Sequence, residues 1–461
     1  MPAVPSPARA TITVRTICGR LAGVATESGV IQQTGLLWIA DTLSHAVDYG
    51  FHLYLGRALP LGAFGQFQSL NSLALVVLIL AFALQPVAAR YTAAPPAGRD
   101  GPATQGAILR RLGRQSLGVA AIATTVFALL SFPIARATRL PRPLILMLTC
   151  LFPLGAPRGV ALGVLQGQTR LGMLGLTNLT NALVRTALAI AGIELLHWGV
   201  RGAAATVVIG AAAALFASLL AVRNTARQPG SLDSAAVREG WHIAFAGLLM
   251  SVSYMLLTNM DVIWVNRIAS GTVADAYGRV VVLRRVVAVF ATAISMAILP
   301  RVARGVRRRE RPDRAIALSL GVVLAAGLAL TALYAVAGPA IYRLAYGAEP
   351  GAASRWIVAM AGAMLGYSIS LVWVNVLVAA DPRPLSWVMV ALAAVQTVLY
   401  ALCARTPGAA IAILFGSAWL LSLAGAALYW YRVRPGLNPP ACSATGVGAP
   451  ERGRSTPTGA E

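Results

Sequence analysis

The chain has no lysine; all 38 of its basic side chains are arginine. A Walker A phosphate loop requires a lysine, so ATP hydrolysis by that route is excluded. Charge of any kind is scarce. Asp, Glu and Arg make up 11% of the 461 residues, against about 25% in soluble proteins. A soluble protein of this size could not cover its surface with so little charge. Cysteine is sparse as well: Cys18, Cys150, Cys403 and Cys442 form no CxxC pair and no metal-ligand spacing. Two of them lie in apolar runs and read as small buried hydrophobes. The GxSxG, HExxH and dinucleotide-binding patterns are missing. The first 30 residues hold no contiguous apolar region ending at a small-residue cleavage site, so no cleaved signal peptide is expected.

What is present is apolar sequence. Hydrophobic residues make up 57% of the chain, which with the shortage of charge defines an integral membrane protein. A crossing helix needs about 20 apolar residues. Twelve such stretches can be marked, at 34–55, 66–88, 116–136, 143–165, 172–195, 199–221, 242–265, 278–299, 315–337, 354–378, 384–403 and 408–430. The expected fold is all-α and polytopic. Residues 1–33 are expected to be a flexible leading segment, 34–222 a first six-helix half, 223–241 a linker, 242–431 a second half and 432–461 a disordered tail.

The formal net charge of +23 invites a nucleic-acid reading, but the arginines cluster in short loops between apolar runs. That is the positive-inside pattern, not a groove-tracking patch, and no nucleic acid is expected. The loops after spans two, six and eight hold Arg90, Arg99, Arg110, Arg111, Arg114, Arg223, Arg227, Arg301, Arg304, Arg307, Arg308, Arg309, Arg311 and Arg314. All follow even-numbered spans, which puts them and both termini in the cytoplasm. Arg136, Arg139 and Arg142 lie on the other side, against the trend.

A repeat is visible in the letters. Residues 57–90 run from RALPLGAFGQF to QPVAAR, and 267–304 from RIASGTVADAYGRV to LPRVAR. Arg57 matches Arg267, Phe64-Gly65 matches Tyr277-Gly278, and Pro86 matches Pro300. The copies fall at spans one–two and seven–eight. Two six-helix halves related by a pseudo-twofold axis along the membrane normal, rocking against one another, follow from that placement.

The same punctuation, with LGRALPLGAFGQFQSLNSL at 55–73, VLQGQTRLGMLGLTNLTNALVR at 164–185, NMDVIWVNRIASGTVADAYGRVVVLRRVV at 259–287, ILPRVAR at 298–304 and IYRLAYGAEPGAASRWIV at 341–358, resembles the polysaccharide flippase branch of the multidrug/oligosaccharidyl-lipid/polysaccharide exporter superfamily. The resemblance covers roughly residues 35–430. It implies a bacterial inner-membrane flippase that turns polyprenyl-diphosphate-linked oligosaccharide to the outer leaflet for surface polysaccharide. Its partners would be the lipid-linked sugar, membrane lipid and a polysaccharide polymerase machinery.

Charges inside spans are costly and mark function or internal pairing. Span one carries Asp41, His45, Asp48 and His52, at spacings that place all four on one helical face. They read as a wall that pairs with arginine or carries proton or sodium coupling, or as a structural network. Asp261 near the end of span seven joins the coupling candidates as a potential partner of Arg284 or Arg285. Asn178, Asn181 and Arg185 share a face of span five, and Arg284 and Arg285 lie inside span eight. These five are the substrate-binding candidates, with a diphosphate as one anion Arg185 could grip. No cofactor and no metal site are expected. A drug or cation antiporter of the same superfamily is the second reading, kept open by Asp41 and Asp48 and opposed by the arginines. A membrane polymerase is the third; the outer loops offer Glu349 and few other carboxylates for such chemistry.

Overall fold

The computed structural model describes residues 7–93, 102–228, 234–269, 271–307, 311–380 and 383–437. Among these residues there is no strand. The helices are α1 (Pro7–Ala58), α2 (Ala63–Ala93), α3 (Pro102–Thr138), α4 (Arg142–Leu148), α5 (Leu151–Gly167), α6 (Leu171–Leu196), α7 (Val200–Ala226), α8 (Ser234–Ile268), α9 (Gly271–Arg307), α10 (Asp313–Tyr346), α11 (Ala353–Ala380), α12 (Arg383–Cys403) and α13 (Pro407–Leu428). Ten helical stretches are long and apolar enough to cross a membrane, with α4 and α5 forming one of them over Arg142–Gly167. The two long helices outside that set, α1 and α9, carry much of the intramembrane charge. Together they make twelve crossings.

The helix contacts repeat with the halves exchanged. In the first half α1 packs on α6, α2 on α5, α3 on α5, and α6 on α7; in the second α8 packs on α12, α9 on α11, α10 on α11, and α12 on α13. Across the boundary α2 meets α8 as α1 meets α9, α3 meets α8 as α1 meets α10, and α2 meets α9 in a self-matching pair. This permutation is the signature of a pseudo-twofold axis between two six-helix halves.

The helices depart from the sequence expectation at several places. Residues 7–33, expected to be a flexible segment, continue α1, a helix of 52 residues. After Pro7 the next proline is Pro60, so nothing in between removes a backbone donor. Span four is not continuous: the helix breaks at Thr149-Cys150. Pro153 explains this, because it cannot donate to the Thr149 carbonyl and its ring crowds that group. The Thr124 hydroxyl instead donates to Thr149 at 3.4 Å. The expected linker 223–241 is shorter than drawn, with α7 reaching Ala226 and α8 starting at Ser234. Beyond α13 the chain continues as a π-helical turn over Tyr429–Val433 and a short 3-10 turn over Arg434–Gly436. The rest of the expected tail, together with Arg99, Arg308 and Arg309, lies outside the described residues.

Small residues let the helices of a half approach closely, as membrane packing requires. On α5, a Cβ added at Gly163 would lie 2.6 Å from the Ala88 Cβ of α2, and one at Gly167 would lie 2.5 Å from the Thr92 Cβ. No solvent drives these helices together, so shape fit must do so. Gly163→Leu should overpack this seam at a cost of about 1–3 kcal/mol. The expected outcome is a melting temperature several degrees lower in detergent, read by tryptophan fluorescence; an unchanged midpoint would mean that α2 and α5 separate without cost.

Candidate functional site

The end of the bundle where α1 turns into α2 and α8 into α9 is called the upper end here. Two levels of arginine lie below it. At the nearer level, the Arg185 guanidinium of α6 forms an ion pair with the Asp48 carboxylate of α1 and stacks on the Phe51 ring, 4.3 Å from its centroid. From the other half, Arg285 of α9 reaches His52 of α1, placing a terminal nitrogen 3.1 Å from Nε2. That donor makes Nε2 an acceptor, so the imidazole proton sits on Nδ1. The Gln68 amide lies 3.1 Å from Nδ1, and its Oε1 is otherwise buried without a partner. Turning the amide so that Oε1 accepts from Nδ1 satisfies both groups. His52 is buried, with Asp48 3.9 Å from its Nε2.

Seven residues away along both α1 and α6, about 10 Å lower at 1.5 Å per residue, lies the second level. The Asn178 amide donates to Asp41 at 3.2 Å, and Arg158 of α5 donates to the Asn178 carbonyl oxygen at 2.8 Å. Arg158 is the residue the sequence reading missed. It sits in the middle of GAPRGV, within a marked span, and the rule applied to Arg185 would have flagged it.

Hydrogen bonding at both levels is incomplete. Among the described residues the Nε of Arg158, the Nε of Arg185 and one terminal nitrogen of Arg285 are buried without a partner. A guanidinium has five N–H donors and no other use for them than an acceptor. Three guanidinium groups therefore face two carboxylates, and only Asp48 is in direct contact with one.

The remaining candidates divide. Arg284 donates from one terminal nitrogen to Asp261 Oδ2 at 2.5 Å, and from the other to Asp261 Oδ1 at 3.0 Å and to the Thr258 carbonyl at 2.8 Å. The Tyr277 hydroxyl adds a bond to Asp261 at 2.6 Å. Both charges are buried. In this arrangement Arg284 and Asp261 pair with each other. Asn181 lies against Gly210 of α7, where an added Cβ would be 2.8 Å from its Oδ1, and does not join Asn178. His45 is exposed on its helix, between Asp41 and Asp48 but in neither group. Tyr367 is glue, donating to the Leu257 carbonyl at 2.7 Å. No cluster of three His, Cys, Asp or Glu side chains fit to hold a metal occurs among the described residues.

Contacts between the halves gather at the upper end. Asp275, near the start of α9, accepts from the backbone amides of Gly62 at 2.6 Å and Gly65 at 2.7 Å. It thereby caps the N-terminus of α2 from the opposite half, where a negative charge is favourable. Gly62 has φ +84° and touches Gly271, and a Cβ at Gly65 would lie 2.7 Å from the Ala274 carbonyl carbon. Arg279 donates to the Gly56 carbonyl at 3.2 Å. The upper end is closed.

No protein-family model and no curated protein sequence matches the chain. Solved structures of similar fold include transporters. The chain is similar to an inward-facing multidrug resistance MATE transporter of the MOP superfamily, with TM-score 0.69 at 13% identity over 88% of this chain and 98% of that one. An outward-facing MATE transporter of that superfamily gives 0.60 at 13% identity over 88% and 96%. The lipid II flippase MurJ, in an inward closed conformation, gives 0.68 at 11% identity over 86% and 87%. At these identities the likeness is one of fold: twelve helices in two halves, as the resemblance implied.

Removing one member of the Asp261–Arg284 pair should leave a buried charge unpaired, at a cost of about 3–5 kcal/mol. Asp261→Asn or Arg284→Gln alone is expected to reduce folded yield and thermal stability sharply, and the double variant to recover much of the loss. A double variant no better than the worse single one would mean the two charges do not act as a pair.

Proposed function

We propose that the protein is a flippase for a lipid whose headgroup carries a phosphate or diphosphate, with polyprenyl-diphosphate-linked oligosaccharide as the substrate class. The observation that carries this reading is the surplus of unsatisfied guanidinium groups. Arg158, Arg185 and Arg285 hold buried N–H donors without acceptors, and phosphate oxygens are the acceptors that suit a guanidinium fork. The headgroup cannot cross hydrocarbon alone, because its charge is too poorly solvated there. Guanidinium groups at two heights offer it a substitute for water.

The lipid tail needs a different solvent. Among the described residues α2 runs closely along α8, while the matching pair α1 and α9 touches sparsely. A polyprenyl chain lying at the α1–α9 seam would remain in the bilayer while its headgroup sits between the halves. The positive-inside pattern of the arginine-rich loops supports an upper end outside and a lower end and both termini in the cytoplasm, and the flippase reading puts the protein in the bacterial inner membrane. The halves then alternate access, taking up lipid-linked precursors from the cytoplasmic side. A polysaccharide polymerase would consume the product outside.

The antiporter reading needs a carboxylate ready for an organic cation. Asp48 is paired with Arg185 and Asp261 with Arg284. Asp41 is left with an amide donor, and one such group is a weak basis for a cation site. Of the coupling candidates, Asp41, His45, Asp48 and His52 remain as the groups through which a proton or sodium gradient would act.

The test is a flipping assay on purified protein in liposomes, with a fluorescent polyprenyl-diphosphate oligosaccharide and a membrane-impermeant quencher. Protein-dependent loss of the protected pool is expected. Arg158→Gln, Arg185→Gln and Arg285→Gln should each slow it about 10- to 100-fold, the range for one charged hydrogen-bonding group. Wild-type rates in all three variants, or gradient-driven efflux of an organic cation without lipid movement, would overturn the reading.

A further inference from the structure

The repeat seen in the letters has a structural counterpart that neither the fold nor the substrate requires. Arg57 ends α1, and Arg267 ends α8, the matching helix of the other half. Arg57 crosses the boundary and donates from Nε to the Ala345 carbonyl of α10 at 2.6 Å, and from a terminal nitrogen to Leu344. Arg267 crosses in the opposite sense and donates to the Ala137 carbonyl of α3 at 2.8 Å. α3 and α10 are themselves matching helices. Ala137 and Ala345 are each the residue before the last of its helix. The two arginines that align in sequence therefore cap, in trans, the C-termini of the two helices that align in structure.

We propose that Arg57 and Arg267 are a reciprocal pair of latches that set the balance between the upper-closed and upper-open states. Four carbonyls at a helix C-terminus have no intrahelical partner, and a cation there satisfies them and the negative end of the helix dipole. Each half thus completes a helix of the other. The bond exists only while the halves are together at this end. It is also reversible: Arg57 is exposed and Arg267 half-exposed, so water replaces the partners on both sides when the halves part. Arg284, sealed with Asp261 inside one half, has no such freedom. Arg267 is held ready by the Trp264 ring, 5.0 Å below its guanidinium, and the Trp264 indole is fixed by donation to the Ala404 carbonyl at 3.0 Å. The latch needs the two-half fold but not any particular headgroup, so its test and the flipping assay can fail independently.

The experiment uses the full chain in lipid nanodiscs, with Cys18, Cys150, Cys403 and Cys442 replaced by Ser. Spin labels at Leu61 and Glu349 report the upper end, and labels at Thr169 and Tyr431 the lower end. Arg57→Gln and Arg267→Gln should each lengthen the upper distance and shorten the lower one, with a several-fold rise in the upper-open population. The double variant should shift it by about tenfold or more, the scale expected for two helix-terminal charges. Lys at both positions should retain most of the closed population, because it keeps the charge and a donor. Amide hydrogen exchange on the single variants adds a crosswise signature. Arg57→Gln should loosen the last turn of α10 and leave α3 alone; Arg267→Gln should loosen α3 and leave α10 alone. If the double variant keeps the wild-type distances, or if each substitution loosens only its own helix, the latch is refuted. Should the double variant not fold, the two single variants and their exchange patterns decide the matter alone.

Discussion

A guanidinium removed from water must be met by an acceptor, and this requirement organises the molecule. The charge cannot be shed, since arginine stays protonated, and hydrocarbon offers no acceptor. Three solutions coexist. Arg284 is paired with the Asp261 carboxylate, which also accepts from the Tyr277 hydroxyl. Arg57 and Arg267 stay near water and use helix-end carbonyls. Arg158, Arg185 and Arg285 each hold a buried nitrogen with no partner. The first solution gives structure, the second reversible closure and the third a place for an anion. One side-chain type serves all three, because burial and partner differ rather than chemistry.

The pseudo-twofold relation is kept in the packing and abandoned in the charges. α1 and α8 occupy matching places, and each sends an arginine across the axis. Yet α1 carries Asp41, Asp48 and His52 facing partly satisfied arginines, whereas α8 carries Asp261 closed on Arg284. The second half has spent its buried carboxylate on internal cohesion, supported by the Tyr367, Gln396 and Ser417 bonds nearby. The first half has kept its polar groups near the interface. On the proposed function, a symmetric frame with one polar wall would receive the headgroup against α1, α5 and α6, with α9 contributing Arg285 from the other side.

The sequence made the helix count and the halves legible, because crossing length and arginine-rich loops are one-dimensional signals. Arg185 and Asp48 were legible as charges inside spans, and their pairing was among the alternatives. The role of Arg57 and Arg267 was visible only as a matched pair of letters; trans capping depends on which helix end lies opposite, which spacing does not encode. Asp275 left no signal at all, since an aspartate four residues into α9 gives no hint of which helix end lies opposite it. The break at Thr149 could have been read from Pro153, but an uninterrupted hydropathy run hid it. Asn181 shares the helical face of Asn178, yet a side chain lying over Gly210 has nothing left for the interior.

The cross-boundary contacts differ in what would replace them if the halves parted at the upper end. Gly62, Gly65 and Asp275 would meet water, and so would Arg57 and Arg267. Arg285 and His52 are different. Their contact joins the halves, with His52 buried and the half-buried Arg285 holding one terminal nitrogen sealed from solvent without a partner, so separation would strip the guanidinium of a further acceptor. A new acceptor must be present for the step to proceed without a large desolvation cost. An anionic headgroup held by Arg185 is such an acceptor. If the protein is the proposed flippase, the exposed contacts set how readily the upper end opens, and the Arg285–His52 contact makes opening depend on cargo. A flippase requires both properties, because an empty passage that opened freely on the outer side would return without having moved its lipid.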